Sequence, residues 1–573
     1  NDGIHGRGQV RHYDGSGSWR RWGRWGLVRT ATNEADDAED SHKRHISGFA
    51  HGSDCRFTIN RIVDRTEAPV AHLSRRQVLG TGVAAAGGMA LWSLAGCASE
   101  ANSKGLDALR ATLSGTLLLP TDPSFAEQNQ PANDEFASIT PIAIALCASP
   151  QDVAACVNWC RNEGIQPVIR GGGHSYAGFS TTQGLLIKTT PMNSVRVDEA
   201  NQTVTIGAGA LNKELLAHVV NTNFMVPIGT CLEVGFTGLV LGGGLGDNSR
   251  WAGVTADHLV STDVVLANGQ SVTANATQEA DLFWAARGGA GGNFGVHTSH
   301  VVSLVEIPRR QIGAFELKFH GIQDCVSSFM AFDKIMHSAP DRLSGFLAIT
   351  NLNRPADGTR GANKYPVATF CGSYIGPVDE LRDLLRPLQR SGKAFHTEIV
   401  AQEFWQAQID WLSVPKLPVH GLAETAHFTN QPLPAKVVDQ LIRRVAAAPG
   451  GSPDAYCEVR LMCWTGGKAN TVAPDATAYV HRSSTGLLRP AIWWQPTSSP
   501  GLQREMQGWF SDTLRFSTPF CQPSAFQNWP YRGLPDALTQ YYGSNLPRLT
   551  QVKKAYDPNN LFHYEQSIPV ASA

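Results

Sequence analysis

The sequence predicts an α+β protein of two or more domains. Three observations carry that expectation. The chain has 573 residues, too many for one compact core. Helix and strand signals alternate from Lys104 onward. The 56 glycines gather in a few loops between apolar runs instead of spreading as in a linker, which suggests backbone drawn close to a ligand. With 48 Lys and Arg against 49 Asp and Glu, there is no charge excess to attract nucleic acid or an acidic membrane surface.

Residues 1–70 are polar, rich in Arg, His, Gly and Asp, and lack periodic apolar spacing. They read as disordered, or as upstream sequence foreign to the natural protein. Residues 71–97 are different. Ser74, Arg75 and Arg76 precede an uncharged stretch from Val78 to Gly96 that ends in Leu94, Ala95, Gly96 and Cys97. This pattern resembles a twin-arginine export signal followed by a lipoprotein-type cleavage box. A membrane span is the competing reading by length, but five glycines, at 80, 82, 87, 88 and 96, make a poor helix. The expected location is periplasmic or extracellular, with lipid anchoring at Cys97 left open. Twin-arginine transport carries folded proteins, which hints at a bound cofactor.

The elements after Lys104 follow from local chemistry. Ser149 and Pro150 open a helix running to about Asn162, with Asp152 in its first turn and Gly164 just past its end. "IQPVIR" reads as a short strand, "QTVTIGAGA" as another, and "NKELLAHVVNTN" as a helix. "TDVVLANGQSVTA" reads as two strands joined at Asn268-Gly269, a strong hairpin signal. Cys156 and Cys160 are four apart on the first helix and face its core, with no neighbouring His or Cys pair to complete a metal site. No metal is assigned. The other cysteines permit disulfides without fixing any pairing.

Three glycine-rich segments stand in order: "RGGGHS" at 170–175, "GTCLEVGFTGLVLGGGLG" at 229–246 and "RGGAGGNFGV" at 287–296. Successive exposed N–H groups in such loops accept phosphate oxygens, and missing side chains let a planar ring approach the backbone. The spacing matches neither the dinucleotide fingerprint nor a P-loop, so nicotinamide and ATP are poor candidates.

"VIRGGGHSYAG", "GTC" with "GGGLG" behind it, "DLFWAARGGAGGNFGV" and the tail "YYGSNLPRLTQVKKAYDPNNLFHYEQSIP" together resemble the berberine-bridge-enzyme-like branch of the vanillyl-alcohol-oxidase flavoproteins, over about Pro120 to Pro569. The resemblance implies a PCMH-type FAD-binding domain of two subdomains over 120–308. A substrate domain with a large antiparallel sheet flanked by helices would follow over 309–520, and a C-terminal segment, 521–573, would return to the FAD domain. It implies FAD bound by Arg170, Gly171, Gly172, Gly173, His174 and Ser175; by Gly229, Thr230, Cys231, Val234, Gly235 and Gly238; by Gly242, Gly243, Gly244 and Gly246; and by Gly292, Gly295, Val296 and Asn528. By the same resemblance His174 bonds the flavin 8α carbon, and Cys231, 57 residues later, bonds carbon 6.

The catalytic groups depart from the family pattern. Many members read Asn-Tyr-Pro where this chain has "FQNWPYRG", so Trp529 stands in place of a tyrosine that helps remove the substrate hydroxyl proton. Leu245 and Leu239 replace a tyrosine and a histidine of some members. A base is still needed, because hydride leaves a carbinol carbon readily only as its hydroxyl proton is taken. Tyr531 is the nearest replacement, with Tyr176, Tyr479 and His481 as others. Trp464, Trp493 and Trp494 could stack on a sugar ring or fill a core.

The expected activity is oxidation of an alcohol or hemiacetal, on a carbohydrate or a secondary metabolite, by hydride transfer to flavin N5. Oxygen is the expected acceptor, giving hydrogen peroxide. The alternatives are a dehydrogenase with another acceptor and a flavin-binding exported lipoprotein without turnover.

Overall fold

The computed structural model describes residues 105–220, 222–351, 366–412 and 420–572. The twin-arginine and Cys97 readings and the whole of 1–70 lie outside them. Among the described residues no helix is long and apolar enough to cross a membrane.

The first sheet contains β1 (Thr116–Leu118), β2 (Ala143–Leu146), β3 (Pro167–Arg170) and β4 (Leu185–Lys188) in the order β1-β2-β4-β3, with only β1 antiparallel. The helix Pro150–Glu163 connects β2 to β3 and forms as the local signals require. Ser149 Oγ accepts from Asp152 N at 3.2 Å, Pro150 opens the first turn, and Gly164 closes the helix at φ +65°. Its Val153, Cys156, Val157 and Cys160 are fully buried against the sheet. The two cysteines of this helix therefore pack, as expected.

A second sheet is antiparallel, in the order β5-β6-β10-β8-β9: β5 (Val195–Asp198), β6 (Thr203–Gly207), and, beyond the short β7 (Phe224–Met225), β8 (Leu259–Val265), β9 (Ser271–Asn275) and β10 (Val296–Ser303). The β8–β9 hairpin turns at Gly269, φ +82°, with Asn268 Oδ1 accepting from Gln270 N at 2.9 Å. β11 (Val305–Glu306) pairs with β7.

The third sheet is the large one. It holds β12 (Gln311–His320), β13 (Leu343–Thr350), β14 (Val367–Tyr374), β15 (His396–Glu403), β16 (Gly421–Glu424), β17 (His427–Thr429), β18 (Ala455–Cys463) and β19 (Gly486–Trp494), all antiparallel. The helices Ile322–Ser338 and Ala435–Ala446 cover one face through Phe329, Phe332, Val438 and Leu441. The C-terminal helix Leu546–Tyr556 folds back on the third glycine loop. Buried Lys553 Nζ donates to Asn293 O and Asp557 Oδ2, each at 2.7 Å, and Asn293 Oδ1 accepts from Ile568 N at 2.9 Å. Across a shared cavity, one face of the large sheet lies opposite the glycine loops.

Candidate active site

A cavity of about 740 Å³ lies between the glycine loops and the large sheet. Gly171, Gly172, Gly173, His174, Ser175 and Tyr176 line it from the loop after β3. Gly229, Thr230, Cys231, Val234, Gly235 and Gly238 line it from the second glycine segment, Gly292 and Gly295 from the third, and Asn528 from the C-terminal segment. The first two loops meet backbone to backbone: a Cβ on Gly172 would come 2.4 Å from Gly235 N. His174 and Cys231 are thereby brought to one space. Asn528 Nδ2 donates to Leu239 O at 2.9 Å, tying the C-terminal segment to the same wall.

Nine of the residues expected at the site are elsewhere. Arg170 is buried beneath the first loop, donating to Ser180 O at 2.8 Å and Asn129 O at 2.7 Å, so it braces the loop. Gly242, Gly243, Gly244 and Gly246 sit behind the wall, where protein leaves no room for a side chain. A Cβ would come 1.7 Å from Asn528 Oδ1 at Gly242, 2.4 Å from the Tyr479 ring at Gly243, 2.2 Å from Thr255 Oγ1 at Gly244 and 1.9 Å from Ile228 O at Gly246. Val296 is fully buried in the core beneath the first sheet. Tyr531 turns its ring onto Phe510, centroids 5.0 Å apart, and away from the cavity. His481 stacks on Phe428 at 4.1 Å and meets Gln527 Oε1 at 3.1 Å; burial pushes its pKa down to about 3. Neither Tyr531 nor His481 faces a substrate. Tyr479 is fully buried as well, packed between Gly243 and Gly288.

Tyr176 is the one proposed base that lines the cavity. Burial, then the nearby Glu424 carboxylate, hold its phenol protonated far above the ordinary tyrosine range. Burial lowers the His174 pKa to about 4, with His420 adding to the effect, so the imidazole is neutral and nucleophilic at neutral pH. Burial also raises the Cys231 thiol, and Glu424 raises it further.

The opposite wall is a charged network that sequence reasoning did not find. Arg489 on β19 reaches Glu424 Oε2 through Nη1 at 3.0 Å and Glu458 Oε1 through Nη2 at 2.6 Å. Arg460 Nε lies 2.9 Å from the same Glu458 oxygen. Burial alone would raise Glu458, but Arg460 and Arg489 bring it below the usual carboxylate range; Glu424 stays above that range because burial outweighs Arg489. The signal was present in the sequence, since an Arg in "GLLRPAIWW" and a Glu closing "GLAE" are charges in apolar strands. Trp464, Trp493 and Trp529 complete the wall, while Trp494 fills the core beside Phe510. The Trp529 ring lies 5.5 Å from the Arg489 guanidinium, a cation–π contact. Among the described residues no cluster of His, Cys, Asp or Glu is placed to hold a metal ion.

The model of an FAD binding domain matches residues 141–275, and that of berberine and berberine-like proteins matches 525–569. The chain carries both of these domains, and its relatives include berberine-bridge-enzyme-like proteins. It is thus an FAD-linked oxidoreductase by family, with the PCMH-type fold. The uncharacterized FAD-linked oxidoreductase YgaK of Bacillus subtilis is 29% identical over 465 residues, covering 80% of this chain and 98% of that protein. Berberine bridge enzyme-like 4 of Arabidopsis thaliana is 25% identical, covering 75% of this chain and 84% of its own. Two solved structures share the fold at a TM-score of 0.71: the Acremonium strictum glucooligosaccharide oxidase, 24% identical, and berberine bridge enzyme from Eschscholzia californica, 22% identical. Each covers 82% of this chain and 99% of its own.

The cavity fits FAD on its own features. Its volume lies within the range of ligand sites, and a Cβ on Gly238 would meet nothing within 4 Å, so the wall is bare where a flat ring needs approach. The loop glycines leave backbone N–H groups for phosphate oxygens.

Proposed function

We propose that this chain is an exported oxidase that carries FAD linked through His174 and Cys231 and oxidises an alcohol or hemiacetal, foremost of a carbohydrate. The observation that carries the reading is the meeting of His174 and Cys231 at one cavity. The Acremonium strictum glucooligosaccharide oxidase carries a 6-S-cysteinyl, 8α-N1-histidyl FAD; the same two residue types line this cavity. When bound, FAD supplies the hydride acceptor.

The protein's own groups do the rest. Gly171, Gly172 and Gly173 offer N–H groups to the diphosphate, and neutral His174 offers a ring nitrogen for the 8α link. Tyr176, a protonated phenol at the cavity wall, receives the hydroxyl proton only as it passes its own on. Trp493 and Trp529 offer flat faces against which a sugar ring stacks. Other structural neighbours are a chitooligosaccharide oxidase and a xylooligosaccharide oxidase in complex with xylobiose, which favours the carbohydrate and oxygen as acceptor. Trp529, at the place of the family tyrosine, favours the competing reading of a flavin-binding protein without turnover.

Anaerobic mixing with a panel of oligosaccharides and secondary alcohols separates the two. The flavin should bleach with at least one compound and regain colour in air with one peroxide per substrate. No bleaching by any compound, in protein that dithionite does bleach, would leave the binding reading. Recovery with a dye but not with air would make it a dehydrogenase.

Export is tested separately. Replacing Arg75 and Arg76 together by lysine should leave FAD-loaded protein in the cytoplasm, whereas normal export of that variant contradicts twin-arginine transport. Incorporation of labelled fatty acid, lost in Cys97→Ser, would establish lipid anchoring, and its absence a released protein.

A further inference from the structure

Trp529 poses a problem for the proposed reaction, because an indole N–H donates and cannot accept a proton. The cavity holds another acceptor, one step behind its wall. We propose that Glu424 is the terminal acceptor of the substrate hydroxyl proton and takes it through Tyr176. The proposal rests on the oxidase reading above and assigns its proton path.

Geometry carries the assignment. Glu424 closes β16 with 1% of its surface exposed, and its carboxyl interacts with the Tyr176 phenol that lines the cavity. The contact is fixed by buried Asn133. Its Nδ2 donates to Tyr176 O at 2.8 Å and to Leu422 O at 3.1 Å, and its Oδ1 accepts from Leu422 N at 3.2 Å. One amide thus clamps the Tyr176 loop to the strand bearing Glu424.

The two carboxylates of the network are unequal. Glu458 forms ion pairs with both Arg460 and Arg489, whereas Glu424 is ion-paired with Arg489 alone, Arg460 acts on it only at a distance, and the Tyr176 phenol is its other polar neighbour. Glu424 is a buried carboxyl with accepting capacity to spare. The charged and titratable groups around it are Tyr176 and Cys231 from the loops, Arg489 from β19, and Tyr456, Glu458 and Arg460 from β18. Burial raises its pKa, which makes the carboxylate a stronger base.

In the step, the substrate O–H bond breaks as a new O–H bond forms at Tyr176 Oη. The Tyr176 proton moves at the same time to a Glu424 oxygen. The C–H electron pair would leave as hydride, for which FAD held by the glycine loops would be the acceptor. The substrate loses one proton and one hydride, Tyr176 is unchanged, and Glu424 holds the proton until oxygen is reduced to peroxide.

The test uses the full FAD-loaded chain with Tyr176→Phe, Glu424→Gln, Glu424→Asp and the double variant Tyr176→Phe/Glu424→Gln. Flavin bleaching by a substrate from the panel is followed between about pH 5 and pH 9, on the alkaline side of the ordinary carboxyl value. Each single variant with Phe or Gln should slow bleaching by about 10²–10⁴-fold at unchanged flavin content. The double should be no slower than the slower single. The bleaching rate of the unaltered protein should rise with pH as Glu424 ionises; this limb should vanish in Glu424→Gln and return in Glu424→Asp. Infrared titration should show a protonated-carboxyl band that Glu424→Gln removes and Tyr176→Phe shifts.

A wild-type rate in Tyr176→Phe, or an unchanged limb in Glu424→Gln, overturns the proposal, as do multiplying losses in the double. If Glu424→Gln fails to fold, the Tyr176→Phe results decide. If nothing in the panel is oxidised, the function reading fails by itself, and an infrared band indifferent to Tyr176→Phe is what overturns the pairing.

Discussion

Replacing Arg489 by methionine should cost about 3–5 kcal/mol of folding stability, since it removes one partner of a buried ion pair. The guanidinium is 6% exposed and bridges two carboxylates that are themselves at most 1% exposed. Without it Glu424 loses its ion-pair partner and feels only the more distant Arg460, and Glu458 keeps only Arg460. The effect should depend on pH with a defined sign. In the unaltered protein the Glu458 pKa is lowered, so its stabilisation is present above the ordinary carboxylate value and is lost as pH falls through the folded one. In Arg489→Met the orphaned Glu424 has its pKa pushed higher still. A raised group of this kind is tolerated while protonated and destabilises as pH rises through the folded pKa. The loss in the urea midpoint should therefore be larger at about pH 8 than at about pH 5. Adding Glu424→Gln to Arg489→Met should recover part of it, because the double removes the orphaned charge. Additive losses at both pH values would mean that the network contributes by packing and not by charge.

What was legible in the sequence was local. Ser149, Pro150 and Gly164 each act through their own backbone, so the helix between them was readable to within a residue. The Asn268-Gly269 turn was readable for the same reason. The glycine loops at 171–173 and 229–238 were legible as close-approach backbone, and they do line the cavity. Gly242, Gly243, Gly244 and Gly246 were misread because a glycine required by Asn528, Tyr479, Thr255 or the Ile228 carbonyl looks the same in a sequence as one required by a ligand. Tyr531 was misjudged because nearness along the chain to Trp529 says nothing about direction: the segment turns between them, and Tyr531 meets Phe510. Glu424, Glu458 and Arg489 converge only through the pairing of β16, β18 and β19, a register no single segment encodes.

The second large effect is expected at the flavin. In His174→Ala the cofactor should stay attached through Cys231, and in Cys231→Ala through His174; the double variant should lose all of it on acid precipitation. Each single variant should also oxidise substrate more slowly, because each proposed tether would fix the ring and favour its reduction, and about 1.4 kcal/mol on the barrier is a tenfold change in rate. His174→Ala should be the more severe, as its loop also carries Tyr176 and abuts Gly235. Flavin retained by the double variant would mean that another side chain is the attachment point.

The most direct test of the double linkage is the intact mass of the unaltered protein after unfolding in acid and removal of small molecules. The two tethers predict a yellow polypeptide heavier by one FAD, and digestion should yield a single flavin joining the peptide of His174 to that of Cys231. A colourless chain at the mass of the polypeptide alone, with all flavin in the supernatant, would contradict it.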